Sequence, residues 1–349
     1  MSIANLKRQN ARGVYPSETD RQELRQQSYG YINMAAASTP LLINAVNQQI
    51  IQNSWGAPAV QIPVFKKDVG TATASTLTCT FLSDNAEAAL MNLTFINAHV
   101  GFDIIPRLTD QSDIVTEAQD FMRQFSDKEE ALANFLEAAI YNALDTAAAS
   151  TSDSAFIGAG AKFGALVGDA VQVSAAQSQF WFNDLKSIFQ ADKFQRSGLD
   201  VIGDAQLPSF VNQYTAQGAA NSTNSLFQFN GYQFQYSNST VTTAGATSTG
   251  FAMPKGSVAV ISRVSPDAAN NRVSMADGIR WSTETSELLG GLEIELMVKD
   301  KCSDVSATTG NALDTNALVK SYQMGLNCCI VTPYNTGTNG GIKKFDLLP

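Results

Sequence analysis

The chain offers few residues that could perform acid–base or metal chemistry. Its 349 residues include one histidine, His99, which excludes a metal site with two histidine ligands and leaves little room for Ser-His-Asp catalysis. Two carboxylate pairs, Glu284 with Glu287 and Glu293 with Glu295, could in principle supply the two carboxyl groups of a glycoside hydrolase. On a strand, Glu293 and Glu295 would share one face, and such a face is usually just solvated.

Two further patterns resemble known sites only superficially. The last glycine of Gly158–Gly164 comes one residue too late for the dinucleotide-binding fingerprint, and no Gly-Lys-Ser/Thr follows it. Cys328 and Cys329 are adjacent, without the two-residue spacer of a redox or zinc pair, and with Cys79 and Cys302 they are too few for a disulfide framework. We therefore expect no catalytic residues, no metal, no cofactor and four free thiols.

The composition points toward contacts with other proteins. Charged residues make up only 16% of the chain, against roughly 25% in typical soluble domains. Interface cores are depleted of charge in the same way. The net charge of −9 argues against a dedicated nucleic-acid binder, which needs clustered Lys and Arg to neutralise phosphate. Since no apolar run approaches about 18 residues and none follows the basic start, we expect neither a membrane span nor a signal peptide.

The first 90 residues read as segments that cannot bury themselves. Residues 1–54 are predicted to be a polar arm, with Ala35–Thr39 in a loop and with Leu41 and Leu42 in a short apolar patch that needs a partner. Residues 55–88 are predicted to be an extended hairpin. Arms and isolated hairpins of this kind become stable when neighbouring subunits supply the missing contacts.

The hairpin prediction depends on alternation. Val60, Ile62 and Val64 alternate with Gln61 and Pro63 on the first strand, and the return strand is predicted through the apolar residues Leu77, Cys79 and Phe81. Lys66 and Lys67 fall at the tip, where lysine keeps exposed strand edges soluble. We expect this hairpin to bury little within its own subunit.

A long amphipathic helix and a mixed remainder follow. Asp113–Phe125 is predicted as one helix, and Ser126–Ala148 as a second that begins at the capping box Ser126-Asp-Lys-Glu129. The remaining chain carries a helix at Trp181–Ala191 and several strands, so the predicted fold class is α+β. The predicted strands are Leu90–Ile105, Leu199–Ile202, Ser257–Val264, Ile279–Thr283, Leu292–Cys302 and Asn327–Thr332.

The order of these elements resembles the tailed-bacteriophage major capsid proteins of the Hong Kong 97-like fold. In that family an N-terminal arm leads into an extended two-stranded loop, then a strand and a long spine helix in a peripheral domain, then an axial domain and a return to the peripheral sheet. The segments that carry the resemblance are Leu93–Pro106, Leu199–Val211, Phe229–Tyr232, Gly256–Val260 and Tyr322–Pro333.

The resemblance implies a division of the chain and a set of assembly contacts. The arm would be 1–54 and the extended loop 55–88. The peripheral domain with the spine helix would be 89–178 and 265–310, and the axial domain 179–264 and 311–349. Some members crosslink a loop lysine to an asparagine of a neighbour, and Lys66 and Lys67 are placed for such a role. Together with Leu41 and Leu42 they are the predicted assembly contacts.

The resemblance also implies a function. The chain would self-assemble into hexamers and pentamers of an icosahedral shell, built in the host cytoplasm and found in the virion. The shell would enclose a double-stranded DNA genome, contacted non-specifically, and would meet portal, scaffolding or decoration proteins and no membrane. Two alternatives stay open at the level of sequence: an encapsulin-type bacterial compartment shell on the same fold, and a carbohydrate-active enzyme that uses the glutamates.

Overall fold

The structure is a computed structural model, and it has the predicted α+β class, with mostly antiparallel sheets and helices packed against them. It describes residues 29–65, 88–106, 117–148, 163, 166–168, 170–178, 181–192, 194, 198–209, 232–309, 314–333 and 340–349. The helices are α1 Gly30–Leu42, α2 Ala45–Gln52, α3 Glu117–Ala147, α4 Ala175–Ser178, α5 Trp181–Ala191, α6 Pro266–Ala269 and α7 Ser306–Thr309. The strands are β1 Ala59–Phe65, β2 Ala88–Thr94, β3 Ile96–Ile104, β4 Leu166–Val167, β5 Ala170–Val173, β6 Leu199–Gly203, β7 Tyr232–Tyr236, β8 Ser248–Pro254, β9 Ala259–Ser262, β10 Val273–Ser274, β11 Ile279–Ser286, β12 Leu292–Ser303, β13 Ala317–Val331 and β14 Lys343–Leu347.

The first sheet is antiparallel throughout and carries α3 on one face. Its order is β10-β11-β12-β13-β3, and β9 pairs with the end of β13. Alternate residues of the strands face the helix and are buried against it. Those from α3 repeat at three- and four-residue steps, which places them on one helix face. The buried contacts are Phe121, Phe125, Leu132, Leu136, Ile140 and Leu144 of α3 with Phe102, Ile104, Ile294, Leu296, Met324 and Leu326 of the strands.

Helix α3 is one continuous helix of 31 residues, about 46 Å long. The prediction of two helices with a start at Ser126 was wrong. The apolar stripe runs without interruption through Phe125 and Leu132, and this burial outweighs the local capping pattern at Ser126. The Glu129 side chain of that capping pattern instead accepts a hydrogen bond from the Ser286 hydroxyl at 2.5 Å, where β11 ends.

The second sheet is mixed and has the order β4-β5-β14-β8-β6-β7. Strand β14 runs parallel to β5, and β6 runs parallel to β7, while the other pairs are antiparallel. Helix α5 lies against it through a stripe of buried apolar residues. The Trp181 ring meets the Phe345 ring edge to face with centroids 5.4 Å apart, so β14 and α5 are joined in one core.

The strand pairing crosses the domain boundaries that the sequence predicts. The prediction groups residues 311–349 with 179–264, whereas β13 lies in the first sheet between β12 and β3. Strand β9, from the 179–264 group, also pairs with β13. Conversely β4 and β5, from the 89–178 group, belong to the second sheet. Short local patterns could not reveal these pairings because each joins strands far apart in the chain.

The described part of the predicted arm, residues 29–54, is not a free arm. The segment Ala35–Thr39, predicted as loop, lies within helix α1, and Tyr31, Ile32, Met34 and Ala35 are buried in the main core. The arm residues 1–28, the hairpin residues 66–87 and the two lysines at the tip lie outside the described residues.

Two glycines let α1 sit this deep. A Cβ at Gly30 would clash with the backbone carbonyl of Tyr236 in β7. A Cβ at Gly290, in the turn between β11 and β12, would come within 2.9 Å of the Ala36 Cβ, and Gly290 also has a φ of +70°. Helix α1 is therefore packed between the second sheet and a turn of the first, and it joins the two.

Within the described ranges, no helix is both long enough and apolar enough to cross a membrane.

A buried ion pair joins the second sheet to the residue that follows helix α5. The Lys343 ammonium on β14 pairs with the Asp192 carboxylate just after α5, and their side chains are 0% and 2% exposed. Removing one partner of such a pair leaves an unpaired buried charge. We expect Asp192→Ala to lower the free energy of unfolding by about 3–5 kcal/mol in a denaturant titration.

The matched control is the Arg280–Asp300 pair, whose side chains are 53% and 45% exposed. We expect Asp300→Ala to cost less than about 1 kcal/mol. Equal losses for Asp192→Ala and Asp300→Ala would contradict the assignment of the Lys343–Asp192 pair as a buried structural contact.

Candidate assembly site

Helix α1 begins on a buried carboxylate from α3. The Tyr31 backbone N–H lies 3.2 Å from both carboxylate oxygens of Glu137, and the Ile32 N–H also bonds this carboxylate. The Ser237 hydroxyl donates to Glu137 Oε2 at 3.3 Å. The first N–H groups of a helix have no partner inside the helix, and the helix dipole favours negative charge there. Glu137 therefore caps α1 from 106 residues away.

The same helix end is tied to the second sheet. The Tyr31 hydroxyl and the Thr240 hydroxyl share a hydrogen bond of 2.8 Å. The Tyr31 ring meets the rings of Tyr141 on α3 and Phe251 on β8, with centroids 6.1 and 6.4 Å apart. One end of α1 thus fixes α3 and the second sheet relative to each other.

The hairpin formed by β1 and β2 is packed at its base on its own subunit. The strands pair antiparallel from Ala59 with Thr94 to Phe65 with Ala88. Ile62 and Leu93, on one face, are 4% and 2% exposed in a cluster with residues of α2, β9 and β13. The alternation predicted for β1 is confirmed, but the expectation that the hairpin buries little within its own subunit was wrong at the base.

Five large apolar side chains around the hairpin base are exposed, and we call them the exposed apolar set. Leu41 ends α1, Val46 and Ile50 lie one turn apart on α2, Trp55 precedes β1, and Leu90 lies on the outer face of β2. Their exposed fractions are 62%, 64%, 40%, 41% and 62%. Residues four apart share a helix face, so Val46 and Ile50 lie on the same exposed side of α2.

The predicted assembly contacts have different outcomes. Leu41 is exposed, as a contact residue should be. Leu42 is half-buried against the cluster at the hairpin base, so its own subunit already covers it. Lys66 and Lys67 lie outside the described residues. The sequence did not single out Ile50, Trp55 and Leu90, which the structure shows to be exposed.

The residues considered for chemistry do not come together. His99 lies in an open concavity on the face of the first sheet opposite α3, beside Lys299 and Gln323. No group of three or more potential metal-ligating side chains occurs in the part of the chain that the structure describes.

The glutamate pairs also serve no common site. Glu284 pairs with Ile294 across β11 and β12, while Glu293 and Glu295 pair with Thr285 and Thr283, so they lie on opposite faces of the sheet. The Glu295 carboxylate accepts a hydrogen bond from the Ser265 N–H at the start of α6. Glu295 therefore stabilises the turn at Ser265 that leads into α6.

Three cysteines are free thiols in the structure, and Cys79 lies outside the described residues. Cys302 is exposed, whereas Cys328 and Cys329 are fully buried on β13. Burial raises the pKa of the Cys329 thiol to about 12 and raises that of Cys328 as well.

The burial of Glu137 generates a prediction on pH. Desolvation raises its pKa from the ordinary value of 4.5 to about 7, although the bonds from Ile32, Tyr31 and Ser237 lower it. Because the pKa is higher in the folded than in the unfolded chain, the folded chain holds the Glu137 proton more tightly. The stabilisation from protonated Glu137 is therefore complete below pH 4.5 and is lost as the pH rises through 7. We expect the free energy of unfolding of the wild type to fall over this window, relative to Glu137→Gln, by on the order of 3 kcal/mol.

The measurement is a urea titration of both proteins at pH 5 and pH 8. The glutamine keeps an oxygen acceptor for α1 and has no proton to lose, so the difference between the two proteins isolates this one group. Parallel pH profiles for wild type and Glu137→Gln would show that Glu137 does not titrate as the structure requires.

Thiol reactivity tests whether Cys328 and Cys329 of β13 are buried in the core. In the native chain, a maleimide reagent should label Cys302 and leave Cys328 and Cys329 unlabelled, because a buried neutral thiol is a poor nucleophile. In denaturant both should react, as peptide mass spectrometry would show. Fast native labelling of Cys328 or Cys329 would contradict the placement of β13 in the core.

Comparison with known proteins bears on the fold. No protein-family model matches the chain, and no curated protein matches its sequence. A solved structure from Microbacterium phage Oxtober96 is 13% identical and is aligned over 99% of both chains with a TM-score of 0.51. A structure from Mycobacterium phage Che8 is 12% identical, covers 87% of this chain and 89% of that chain, and has a TM-score of 0.49. The capsid of a native GTA particle is 12% identical, covers 100% and 99%, and has a TM-score of 0.48.

Of these three structures, the one from phage Oxtober96 has a TM-score above 0.5, and the fold assignment depends on it. At 13% identity this similarity concerns the fold alone. This similarity in fold agrees with the order of elements along the chain. A helical segment, a hairpin, strand β3 and the long helix α3 come before the remaining strands of the two sheets. The chain thus shares its α+β fold with the phage Oxtober96 structure, in agreement with the Hong Kong 97-like fold expected from the sequence.

Proposed function

We propose that the chain is a major capsid protein, a structural subunit that assembles with copies of itself into hexamers and pentamers of an icosahedral shell. The observation that carries the proposal is the hairpin on this fold. One face of its base is buried on its own subunit at Ile62 and Leu93, while Leu90 on the other face is 62% exposed. Leu90, Val46 and Ile50 are exposed apolar side chains, and in a closed homo-oligomer an identical neighbour could cover them.

Each sheet receives a role in this proposal. The first sheet with α3 would be the peripheral domain, and α3 its spine helix. The second sheet with α5 would be the axial domain, around which the rings close. The corrected strand pairing supports this division, because β9 and β13 bring the chain back to the first sheet.

The proposed shell encloses double-stranded DNA and contacts it non-specifically. The net charge of −9 supports a container that holds DNA loosely, because tight binding requires many phosphate contacts from Lys and Arg. The subunit would assemble in the host cytoplasm and reside in the virion. Portal, scaffolding or decoration proteins are its expected partners, and neither catalysis nor a cofactor is part of the proposal.

Sedimentation velocity and negative-stain electron microscopy of the recombinant full-length chain test the proposal. We expect capsomers or megadalton shells, and nuclease-protected DNA in particles that form during infection or with the other phage components. Protected cargo protein without DNA would favour the bacterial compartment shell. A monomer at high concentration, even with a scaffold co-expressed, would contradict both.

The exposed apolar set supplies a sharper variant. Val46→Gln with Ile50→Gln removes the apolar face of α2 and keeps a good helix-forming residue at each position. Because both positions are exposed, we expect the free energy of unfolding of the unassembled subunit to change by less than about 1 kcal/mol. Particle yield should fall at least tenfold by sedimentation.

The matched control is Gln49→Ala with Gln52→Ala, two exposed changes on the same helix that remove no apolar side chain. These should leave both the melting temperature and the particle yield near wild type. Normal shells from the Val46→Gln, Ile50→Gln double variant would exclude α2 as an assembly contact.

A further inference from the structure

One buried arginine, Arg263, contacts the chain on both sides of the hairpin, before β1 and after β2. Arg263 follows β9 and is 5% exposed. Its Nη1 donates to the Ser54 carbonyl oxygen at 2.5 Å and lies 3.3 Å from the Ser54 hydroxyl, just before the chain enters β1. Its guanidinium carbon lies 3.4 Å from the centre of the Phe95 ring, at the residue that separates β2 from β3.

The entering and leaving chains are therefore held by one side chain. Trp55 adds a second aromatic face, with its ring centre 5.4 Å from the guanidinium carbon. The Phe95 N–H donates to the Pro58 carbonyl at 3.2 Å, which closes the base of the hairpin. An arginine stacked on aromatic faces and bonded to a carbonyl fixes direction as well as distance, because its donors form a planar fork.

Arg263 is itself fixed to the first sheet. Its backbone N–H donates to the Asn327 carbonyl at 2.9 Å, and its Nε donates to the Asn327 side-chain oxygen at 3.0 Å. Asn327 belongs to β13, where it pairs with Asn97 of β3, and β13 also pairs with β12 and β9. The guanidinium thus has a defined position relative to the sheet, and the hairpin takes its position from the guanidinium.

The apolar cluster beneath the hairpin cannot do this alone. Its contacts through Ile62 and Leu93 with Ile261 and Val331 hold the hairpin near the subunit, but apolar contacts are not directional. A small rotation about this cluster would preserve most of the burial at the base. Over the described length of β2, seven residues at about 3.4 Å each, the same rotation would carry the far end several ångströms.

We propose that Arg263 is a positioning residue that sets the angle at which the hairpin leaves its subunit, and through it which contact the hairpin makes with a neighbouring copy. The first half of this inference concerns the single subunit. The second half rests on the proposed function, since it requires a neighbouring copy.

The test measures the hairpin angle in the dissociated full-length subunit. Spin labels are attached at Leu90→Cys on β2 and Leu318→Cys on β13, both exposed positions, with Cys79 and Cys302 replaced by serine. Arg263→Lys keeps the positive charge but loses the planar fork and the stacking. We expect one narrow inter-label distance in the otherwise wild-type protein. We expect at least a twofold broader or a shifted distribution in Arg263→Lys, recorded at a temperature at which circular dichroism shows the variant to be folded.

Arg280→Lys is the matched control, because Arg280 is exposed and pairs with Asp300 away from the hairpin base. It should leave the distance distribution as in wild type. If Arg263→Lys does not fold, Phe95→Leu replaces it, since this variant removes the aromatic face and keeps an apolar side chain. An unchanged distance distribution in the folded variant would overturn the positioning role.

Assembly of the wild type and of Arg263→Lys, both without the spin labels and the cysteine substitutions, separates this inference from the proposed function. If wild-type subunits form shells, Arg263→Lys should give few closed shells or aberrant particles. Broadened distances with normal shells would refute the assembly half of the inference, and failed shells with unchanged distances would show that Arg263 acts in another way. If wild-type subunits never assemble, the proposed function fails while the distance measurement still decides the positioning role.

Discussion

Helix α1 begins inside the protein, where water does not solvate the N–H groups of its first turn. The Glu137 carboxylate of α3 accepts hydrogen bonds from them instead. An unsatisfied buried amide is costly, so α1 needs a hydrogen-bond acceptor at this position, and Glu137 supplies it. Much else in the structure depends on α1 being there. It lies against α3, against the second sheet at Tyr236, and against the first-sheet turn at Gly290, so it joins the two sheets into one body.

The hairpin follows from that arrangement. Residues between α1 and β1 run over the end of the first sheet, where α2, β9 and β13 bury the hairpin base. In the described part of the chain, Ile62 and Leu93 are buried, whereas Leu90, Val46 and Ile50 are exposed. A complete core with an exposed apolar set is consistent with the proposed role as a shell subunit. Interfaces built from such partly exposed segments fit a subunit that folds first and assembles afterwards.

Parts of this structure could be predicted from sequence, and they are the parts with local signals. Helix α5 has the predicted bounds Trp181–Ala191 because a strong apolar period marks it. The alternation of β1 and the buried strands β6 and β9 were also recognisable. These elements, taken in order, were enough to identify the fold.

The rest depends on partners that are distant in sequence. Helix α1 carries apolar residues such as Ala36, Ala37 and Leu41 on its exposed face as well, so it shows no amphipathic period, and its cap is a side chain 106 residues away. The full length of β13, from Ala317 to Val331, carries polar residues such as Lys320 and Gln323 that gave no strand signal until paired with β12 and β3. Arg263 carries no sequence signal at all, because its role comes from the meeting of β9 with both ends of the hairpin.

The most direct test of the account is a cryo-electron microscopy reconstruction of particles assembled from the full-length chain. The account predicts closed shells in which Ile62 and Leu93 stay on their own subunit while a neighbouring copy covers Leu90, Val46 and Ile50. The absence of ordered particles, or shells in which these three side chains remain open to solvent, would contradict it.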